Sequence, residues 1–319
     1  MPRLPRLNAL TPEADGWGYF LCTYKELRPV RSGEILLFTL QDATGQIPAK
    51  LIDDVERFKD EFDAGEFVRV EARATTFQGQ TQLAVTHIRR VNPPQDHLQG
   101  FREDDCVLSS PRSADEMWAE LRAHLQSVRD PDIRVLLNRI VSDHETELRE
   151  WPAAQSIHHA YRGGLLEHML KMAEVGRVLA RAYEANEDVV FAGTLLHDIG
   201  KLQELHYEPG GAVYSRDGNL VGHIGLGLIM VREAINGISG FPPELRSQIE
   251  HLIVSHHGTR DHGSPVEPRT VEAFILAMVD ELDTRIHQVR RAIREDSTSE
   301  EFTAWHKRLG RVFYKGPPA

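Results

Sequence analysis

The stretch Leu196-His197-Asp198-Ile199-Gly200-Lys201 sets a His-Asp doublet at the end of an apolar run. Upstream of it stands His168; downstream come His223, then His256-His257, then Asp280. Successive members lie about 25 to 35 residues apart, roughly one helical hairpin per step. No single element can hold them all, so they meet only if several helices converge. Imidazole and carboxylate are natural ligands of hard-to-borderline divalent cations. The series therefore predicts a metal centre inside a helical bundle.

Within the stretch, His197 and Lys201 are four apart and share a helix face. Asp198 can turn one carboxylate oxygen to each of two cations, the simplest way to hold them about 3.5–4 Å apart. The expected groups are His168, His197, Asp198 and Asp280 around one metal, and Asp198, His223 and His256 around the second. His257 is a further ligand or a close neighbour. Two metals suit phosphodiester hydrolysis, one activating water and the other neutralising the phosphate and leaving oxygen. On this reading Asp198, Lys201 and His257 are the catalytic candidates. His158-His159 precedes Gly163-Gly164 and His168 closely enough to line the pocket, which makes His159 a substrate-binding candidate. His87, His124, His144 and His287 read as ordinary core or surface histidines. Glu167 and Glu204 read as helix-surface carboxylates. Asp283, one turn past Asp280, is either a neighbour of the site or solvated.

Around this series the pattern is helical from residue 113 almost to the end. Expected helices cover about 113–129, 131–150, 164–186, 188–201, 223–237, 243–256, 270–294 and 299–309. Ser113-Ala114-Asp115-Glu116 has the form of a capping box. The segment from Tyr207 to Asn219, with Pro209-Gly210-Gly211, reads as a small hairpin. The first 91 residues differ. Short strands are expected at 18–24, 34–40, 46–51, 67–73 and 81–88, with a short acidic helix from Asp53 to Phe62 after the third. Three strands, a helix, then two strands is the order of the OB-fold, a five-stranded, partly open barrel that binds single strands. Its binding face uses strands 2–3 and the loops joining strands 1–2 and 4–5, with bases stacking on aromatics. That points to Tyr24, Lys25, Arg28, Arg31, Phe38 and Lys50, with Phe77 and Gln78 in the last hairpin. Asn92-Pro93-Pro94 and Ser109-Ser110-Pro111 mark a linker. The chain thus reads as multidomain: an all-β OB-fold barrel (1–91), a linker (92–112) and an all-α bundle (113–319).

Composition limits the alternatives. The chain has 319 residues, 41% of them hydrophobic, enough for two domains with real cores. Two cysteines, Cys22 and Cys106, cannot form a disulfide framework. No apolar core follows the charged N-terminus, and no apolar run approaches the roughly 20 residues needed to span a bilayer. The expectation is a cytoplasmic protein with no membrane partner. The net charge of −11 argues against a large non-specific duplex footprint. It leaves room for a nuclease, because bound dications supply positive charge where phosphate sits.

The ligand order and the His-Asp-Ile-Gly-Lys form are typical of the HD phosphohydrolase superfamily. Both halves together resemble the YhaM-type 3′–5′ exoribonucleases across nearly the whole chain. The resemblance rests on Leu40 to Leu51 and Gly79 to Leu83 in the barrel, and on Pro152 to Ala154, Gly164-Leu165 with His168, and Leu196 to Lys201 in the bundle. Gly218-Asn219-Leu220-Val221-Gly222-His223-Ile224, Ser255-His256-His257-Gly258 and Phe313-Tyr314-Lys315 complete it. The resemblance implies removal of nucleoside 5′-monophosphates from the 3′ end of single-stranded RNA, with single-stranded DNA as a second substrate. It implies two divalent ions, Mn²⁺ first, with Co²⁺, Fe²⁺ and Mg²⁺ as alternatives. It places Lys201 at the scissile phosphate and carries ligand roles onto His168, His197, Asp198, His223, His256 and Asp280. A homo-oligomer is left open.

Two other readings compete. A phosphodiesterase acting on cyclic dinucleotides or nucleotides shares the ligand order with a His-His doublet, and Gly263-Ser264-Pro265 echoes its signature loop. The Gly-Tyr-Pro motif is absent, however, and such an enzyme has no clear use for a barrel. A non-catalytic binding factor would not need the complete ligand set.

Overall fold

The computed structural model describes residues 1–30, 33–77, 79–155, 159–208, 211–296 and 298–317. It divides into two compact units. Met1–Ser109 build the first; Ser110–Tyr207 and Gly211–Ala319 build the second.

The first unit carries strands β1 (Asp15–Val30), β2 (Gly33–Asp42), β3 (Gly45–Leu51), β4 (Phe67–Phe77) and β5 (Gln80–Arg90), with a one-turn helix α1 (Val55–Phe58) after β3. They close into a barrel in the order β1-β2-β3-β5-β4. The closing pair β3–β5 is parallel, at Ala49↔Leu83 and Lys50↔Ala84, and the other pairs are antiparallel. This is the OB topology. β1 is far longer than its expected 18–24 because it serves two partners. Asp15–Leu21 pair with β4 and Leu21–Val30 with β2, and the β2 register shifts between Cys22 and Tyr24. A strand that closes a barrel must bend, and a bulge bends it. Leu36, Phe38 and Leu40 on β2, and Val68, Val70 and Ala72 on β4, alternate into one core. Each large apolar side chain so buried contributes roughly 1.5–3 kcal/mol.

Residues 92–109, expected as linker, pack as part of this unit, which runs to Ser109 instead of ending at 91. Pro93 opens helix α2 (Pro93–Asp96) at the position where a missing N–H costs nothing. Phe101 and Cys106 are buried with Tyr19 and Leu21. Asp96, fully buried, accepts from Tyr19 Oη at 2.8 Å, from Arg89 at 2.7 and 2.8 Å and from the Asn92 N–H at 2.7 Å. The prolines themselves are exposed, and the segment is held by Asp96, Phe101 and Cys106 beneath them.

The second unit is helical: α3 (Ala114–Gln126), α4 (Pro131–Asp143), α5 (Glu145–Glu150), α6 (Gly164–Ala182), α7 (Glu187–Leu196) and α8 (Lys201–Glu204) come first. A two-stranded sheet of β6 (Leu205–Glu208) and β7 (Gly211–Tyr214) follows, then α9 (Arg216–Leu220), α10 (Gly222–Asn236), α11 (Pro243–Ser255) and α12 (Val271–Glu295). Asp130, Asn186, Ser215 and Thr270 cap α4, α7, α9 and α12 through their side chains. Ser113 occupies the cap position of α3 but makes no side-chain cap bond. From Val189 to Leu196 every residue of α7 is buried. An all-round apolar helix belongs at the middle of a bundle, and α7 packs against α4, α6, α11 and α12. The expected helix 299–309 is instead a hairpin-like turn. Phe302 bridges Tyr314 and His306 bridges Arg311. Asp296 takes the Ala304 and Thr298 N–H groups, a side-chain alternative to continuing the helix. Among the described residues no helix is long and apolar enough to cross a membrane.

Candidate metal centre

α7 delivers the doublet to the middle of the bundle: His197-Asp198 follows directly on its last residue, and His256-His257 follows directly on α11. His168 comes from α6, His223 from the first turn of α10 and Asp280 from α12. His168, His197, Asp198 and His256 are buried. The close approach of α8 to α10 needs a glycine. A Cβ on Gly200 would lie 2.0 Å from the His223 carbonyl oxygen and 2.5 Å from the Gly227 nitrogen.

All five histidines use the same ring atom to anchor themselves. The Nδ1 of His168 faces Asp283 Oδ2 at 2.7 Å, that of His197 the Gly193 carbonyl at 3.2 Å, and that of His223 Glu204 Oε1 at 3.0 Å. The Nδ1 of His256 faces the Ile253 carbonyl at 2.8 Å, and that of His257 the His262 carbonyl at 2.9 Å. Carbonyl and carboxylate oxygens only accept, so each Nδ1 donates, and in the neutral ring each Nε2 keeps its lone pair. The Nε2 atoms of His168, His197, His223 and His256 point inward. His168 Nε2 lies 3.3 Å from His197 Nε2 and 3.4 Å from Asp280 Oδ1. Asp198 stands between two groups: its Oδ2 is 3.2 Å from His197 Nε2, and its Oδ1 is 3.6 Å from His223 Nε2 and 3.9 Å from His256 Nε2.

Donor atoms spaced for a cation occur in His168–His197–Asp280 and in His223–His256–His257. Divalent cations fit these residues on an independent observation. The buried Nε2 atoms of His223 and His256 find no hydrogen-bond partner among the described residues. Buried polar atoms are seldom left so. The electrostatics differ between the two groups. Burial alone would depress His168, yet Asp280 and Asp283 outweigh it and raise its pKa to about 9, so a cation taken up at its Nε2 displaces a proton. Burial also opposes ionisation of Asp198, but the Lys201 ammonium and His197 hold its carboxyl well below the usual range. Burial together with His197 pushes His256 well down, and burial together with His223 lowers His257, so both stay neutral, the ligand form.

Lys201, expected at the substrate, donates to Asp198 Oδ2 at 2.5 Å and is buried. His159 is also buried, behind His168. Its Nε2 lies 3.2 Å from Asp283 Oδ2 and its Nδ1 2.8 Å from Tyr161 Oη. His158 lies outside the described residues. Glu204, read from the sequence as a helix-surface carboxylate, is the residue that reading missed, and Asp283, left there as either a neighbour of the site or solvated, is a neighbour. Glu204 is buried and accepts from both the backbone N–H and the Nδ1 of His223. Asp283 accepts from His168 and His159. Their spacing held the only signal: Asp283 is one helical turn from Asp280, and Glu204 one turn from Lys201.

On the barrel, Phe38 is 2% exposed and packs on Phe62 in the core, so it is not on a ligand face. Lys25 is tied to the Lys59 carbonyl at 2.5 Å and to the Phe62 carbonyl, and is not a free cation. Tyr24 and Phe77 are 52% and 58% exposed, Lys50 lies over the Phe77 ring at 5.3 Å, and Arg28 pairs with Glu26. Arg31 and Gln78 lie outside the described residues.

A family model described as the HD domain matches residues 165–285, and one described as an OB-fold nucleic acid binding domain matches residues 25–91. Fold and site together define the class: an HD-type, divalent-metal-dependent protein carrying an OB-fold barrel of the nucleic acid binding kind. Over 300 residues, 93% of this chain and 92% of the relative, the sequence is 31% identical to the 3′-5′ exoribonuclease YhaM of Halalkalibacterium halodurans. Over 281 residues, 88% of each, it is 31% identical to the 3′-5′ exoribonuclease YhaM of Bacillus subtilis. The chain belongs to this YhaM family. Solved structures overlap in part. The HD domain of the phosphodiesterase PgpH from L. monocytogenes covers 48% of this chain and 73% of its own, at 18% identity and a TM-score of 0.30.

Proposed function

We infer that the chain is a metal-dependent 3′–5′ exoribonuclease, releasing nucleoside 5′-monophosphates from single-stranded RNA and acting on single-stranded DNA as a second substrate. The observation that supports this best is the set of five histidines with Nδ1 anchored, four of which, His168, His197, His223 and His256, turn Nε2 toward Asp198 or Asp280. We assign His168, His197, Asp198 and Asp280 to one ion and Asp198, His223, His256 and His257 to the other, with Mn²⁺ as the physiological metal. Such ions activate water and neutralise phosphoryl oxygens.

The chain's own residues set the rest. Asp283 and Glu204 fix the ring planes of His168 and His223. Two dications would be matched by Asp198, Asp280, Asp283 and Glu204, leaving the Lys201 charge over, the sign that draws in a phosphodiester. His257, neutral because it is buried, serves as a ligand and not as the proton donor. Tyr24, Arg28, Lys50 and Phe77 hold the strand on the barrel. His159 acts through Asp283 and not by touching RNA. The setting is cytoplasmic, and a homo-oligomer is compatible with it.

The test is a 5′-labelled single-stranded RNA with Mn²⁺, resolved over time beside Asp198→Ala. A ladder shortening from the 3′ end, absent in the variant, is expected. Intact RNA under wild-type enzyme, or equal turnover by the variant, refutes the reading.

A further inference from the structure

The chain ends in a segment whose composition departs from the rest. The protein carries a net charge of −11, yet from Phe302 to Pro317 there is no acidic residue and there are four basic ones, Lys307, Arg308, Arg311 and Lys315. The same segment exposes three aromatics, Phe302 at 47%, Trp305 at 64% and Tyr314 at 58%. The segment is built, not loose. The Thr303 N–H donates to the Phe313 carbonyl at 2.8 Å, and the Lys315 N–H to the Glu301 carbonyl at 2.7 Å. Asp296 pins both ends, taking the Ala304 N–H at 2.7 Å and Lys315 Nζ at 2.6 Å. The Phe302 and Tyr314 rings pack with centroids 5.4 Å apart. Trp305 lines a groove of about 440 Å³ between this hairpin and the last turns of α12, with Gln288, Arg291, His306 and Arg308.

We propose that this hairpin is a second binding site for single-stranded RNA, Trp305 stacking on a base while Arg308, Lys307 and Arg311 take the neighbouring phosphates. The proposal rests on the exoribonuclease reading for the choice of ligand. Exposed rings interleaved with cations are what sequence-tolerant single-strand binding requires. A protein partner is the poorer fit, because lysine is depleted at protein interfaces while arginine and the aromatics alone would not be. The placement suits a substrate track. Gln288 and Glu295 lie 8 and 15 residues beyond Asp280 on one continuous helix, so the groove sits roughly 12 to 22 Å along α12 from the metal centre. A long strand reaches both; a dinucleotide reaches only one.

The experiment uses full-length protein carrying Asp198→Asn, so that RNA survives, with and without Trp305→Ala or Trp305→Phe. A single-stranded 20-mer RNA and a dinucleotide are titrated while tryptophan fluorescence is followed, and sedimentation gives the mass of each variant. Stacking of one base predicts that the 20-mer quenches emission in a Trp305-dependent way. It predicts affinity about tenfold or more lower for Trp305→Ala, and restored by Trp305→Phe. In the active background the loss falls on KM for the 20-mer, not on kcat. Tight 20-mer binding unaffected by Trp305→Ala overturns this site while leaving the exoribonuclease reading intact. A fall in particle mass with unchanged RNA affinity overturns it in favour of a contact between copies of the chain. No binding or hydrolysis of any RNA by wild-type protein overturns both.

Discussion

Replacing Asp283 by asparagine keeps side-chain volume but removes the negative charge from the oxygen that now takes both His168 Nδ1 at 2.7 Å and His159 Nε2 at 3.2 Å. A neutral amide oxygen accepts both donors more weakly than the carboxylate does, and the His168 ring is held less firmly. Loss of such a partner carboxylate lowers metal affinity about 10–100-fold, which is about 1.4–2.7 kcal/mol at 1.36 kcal/mol per decade. The double acceptor role puts Asp283→Asn toward the upper end. Glu204→Gln is the matched perturbation on the other side, because Glu204 Oε1 likewise takes two donors, the His223 N–H at 2.9 Å and Nδ1 at 3.0 Å. Calorimetric titration of the metal-free protein with Mn²⁺ reads both. Wild type is expected to show two classes of site. Asp283→Asn should weaken one and Glu204→Gln the other, each leaving its partner class near the wild-type value. Isotherms that superimpose on wild type would refute the orienting role. Equal weakening of both classes by Asp283→Asn alone would refute the division of the histidines into two groups.

Gly200→Ala sets a methyl group 2.0 Å from the His223 carbonyl oxygen; displacement of His223 by about 1 Å should cut turnover about hundredfold, and steady-state kinetics beside a melting curve would separate this from simple unfolding. Phe38→Ala should cost about 3–5 kcal/mol of barrel stability, whereas Phe77→Ala should stay within about 0.5 kcal/mol but weaken RNA binding; urea titration and filter binding would decide, and the reverse ranking would contradict the burial. Asp96→Asn should cost about 2–3 kcal/mol, below the usual 3–5 for breaking a buried pair because the Arg89 side chain is 27% exposed. The Arg89 guanidinium is the main reason the Asp96 carboxyl titrates well below its ordinary value. Its contribution is therefore present above the unfolded carboxylate pKa, near 4, and is lost as pH falls further. Tyr19, pushed up to about 12 by burial and by Asp96, contributes below pH 10 and loses that contribution as pH rises toward 12. Urea midpoints of wild type and Asp96→Asn should converge at low pH, and a constant gap would refute the linkage.

The convergence of the candidate ligands was legible because their residue types suit a cation and their spacing matches one helix per ligand. The barrel was legible from alternation. Of the two orienting carboxylates, Glu204 was not, and Asp283 was legible only as one of two alternatives, since a glutamate or aspartate on a helix is usually solvated and only the packing of α8 and α12 against α10 and α6 turns Glu204 and Asp283 inward. Phe38 was misplaced although its own strand held the answer: Leu36, Phe38 and Leu40 recur at period two and share a face, and that face is the core. The expected helix 299–309 failed for a different reason. Asp296 and Thr298 offer the backbone side-chain partners that a helix would have to forgo.

Both doublets, His197-Asp198 and His256-His257, come immediately after the last residue of a helix. Inside a helix, neighbours in sequence point to different faces, so only at an exit can two adjacent side chains serve one centre. The exit has an electrical consequence. A helix ends in unpaired carbonyls equivalent to about half a negative charge, and two such ends meet at a centre already lined by carboxylates. Before the cations arrive, this cavity repels a phosphodiester. Binding should therefore be compulsory in order, cations first and RNA second, with the strand's 3′ end admitted only once the sign of the cavity has been reversed.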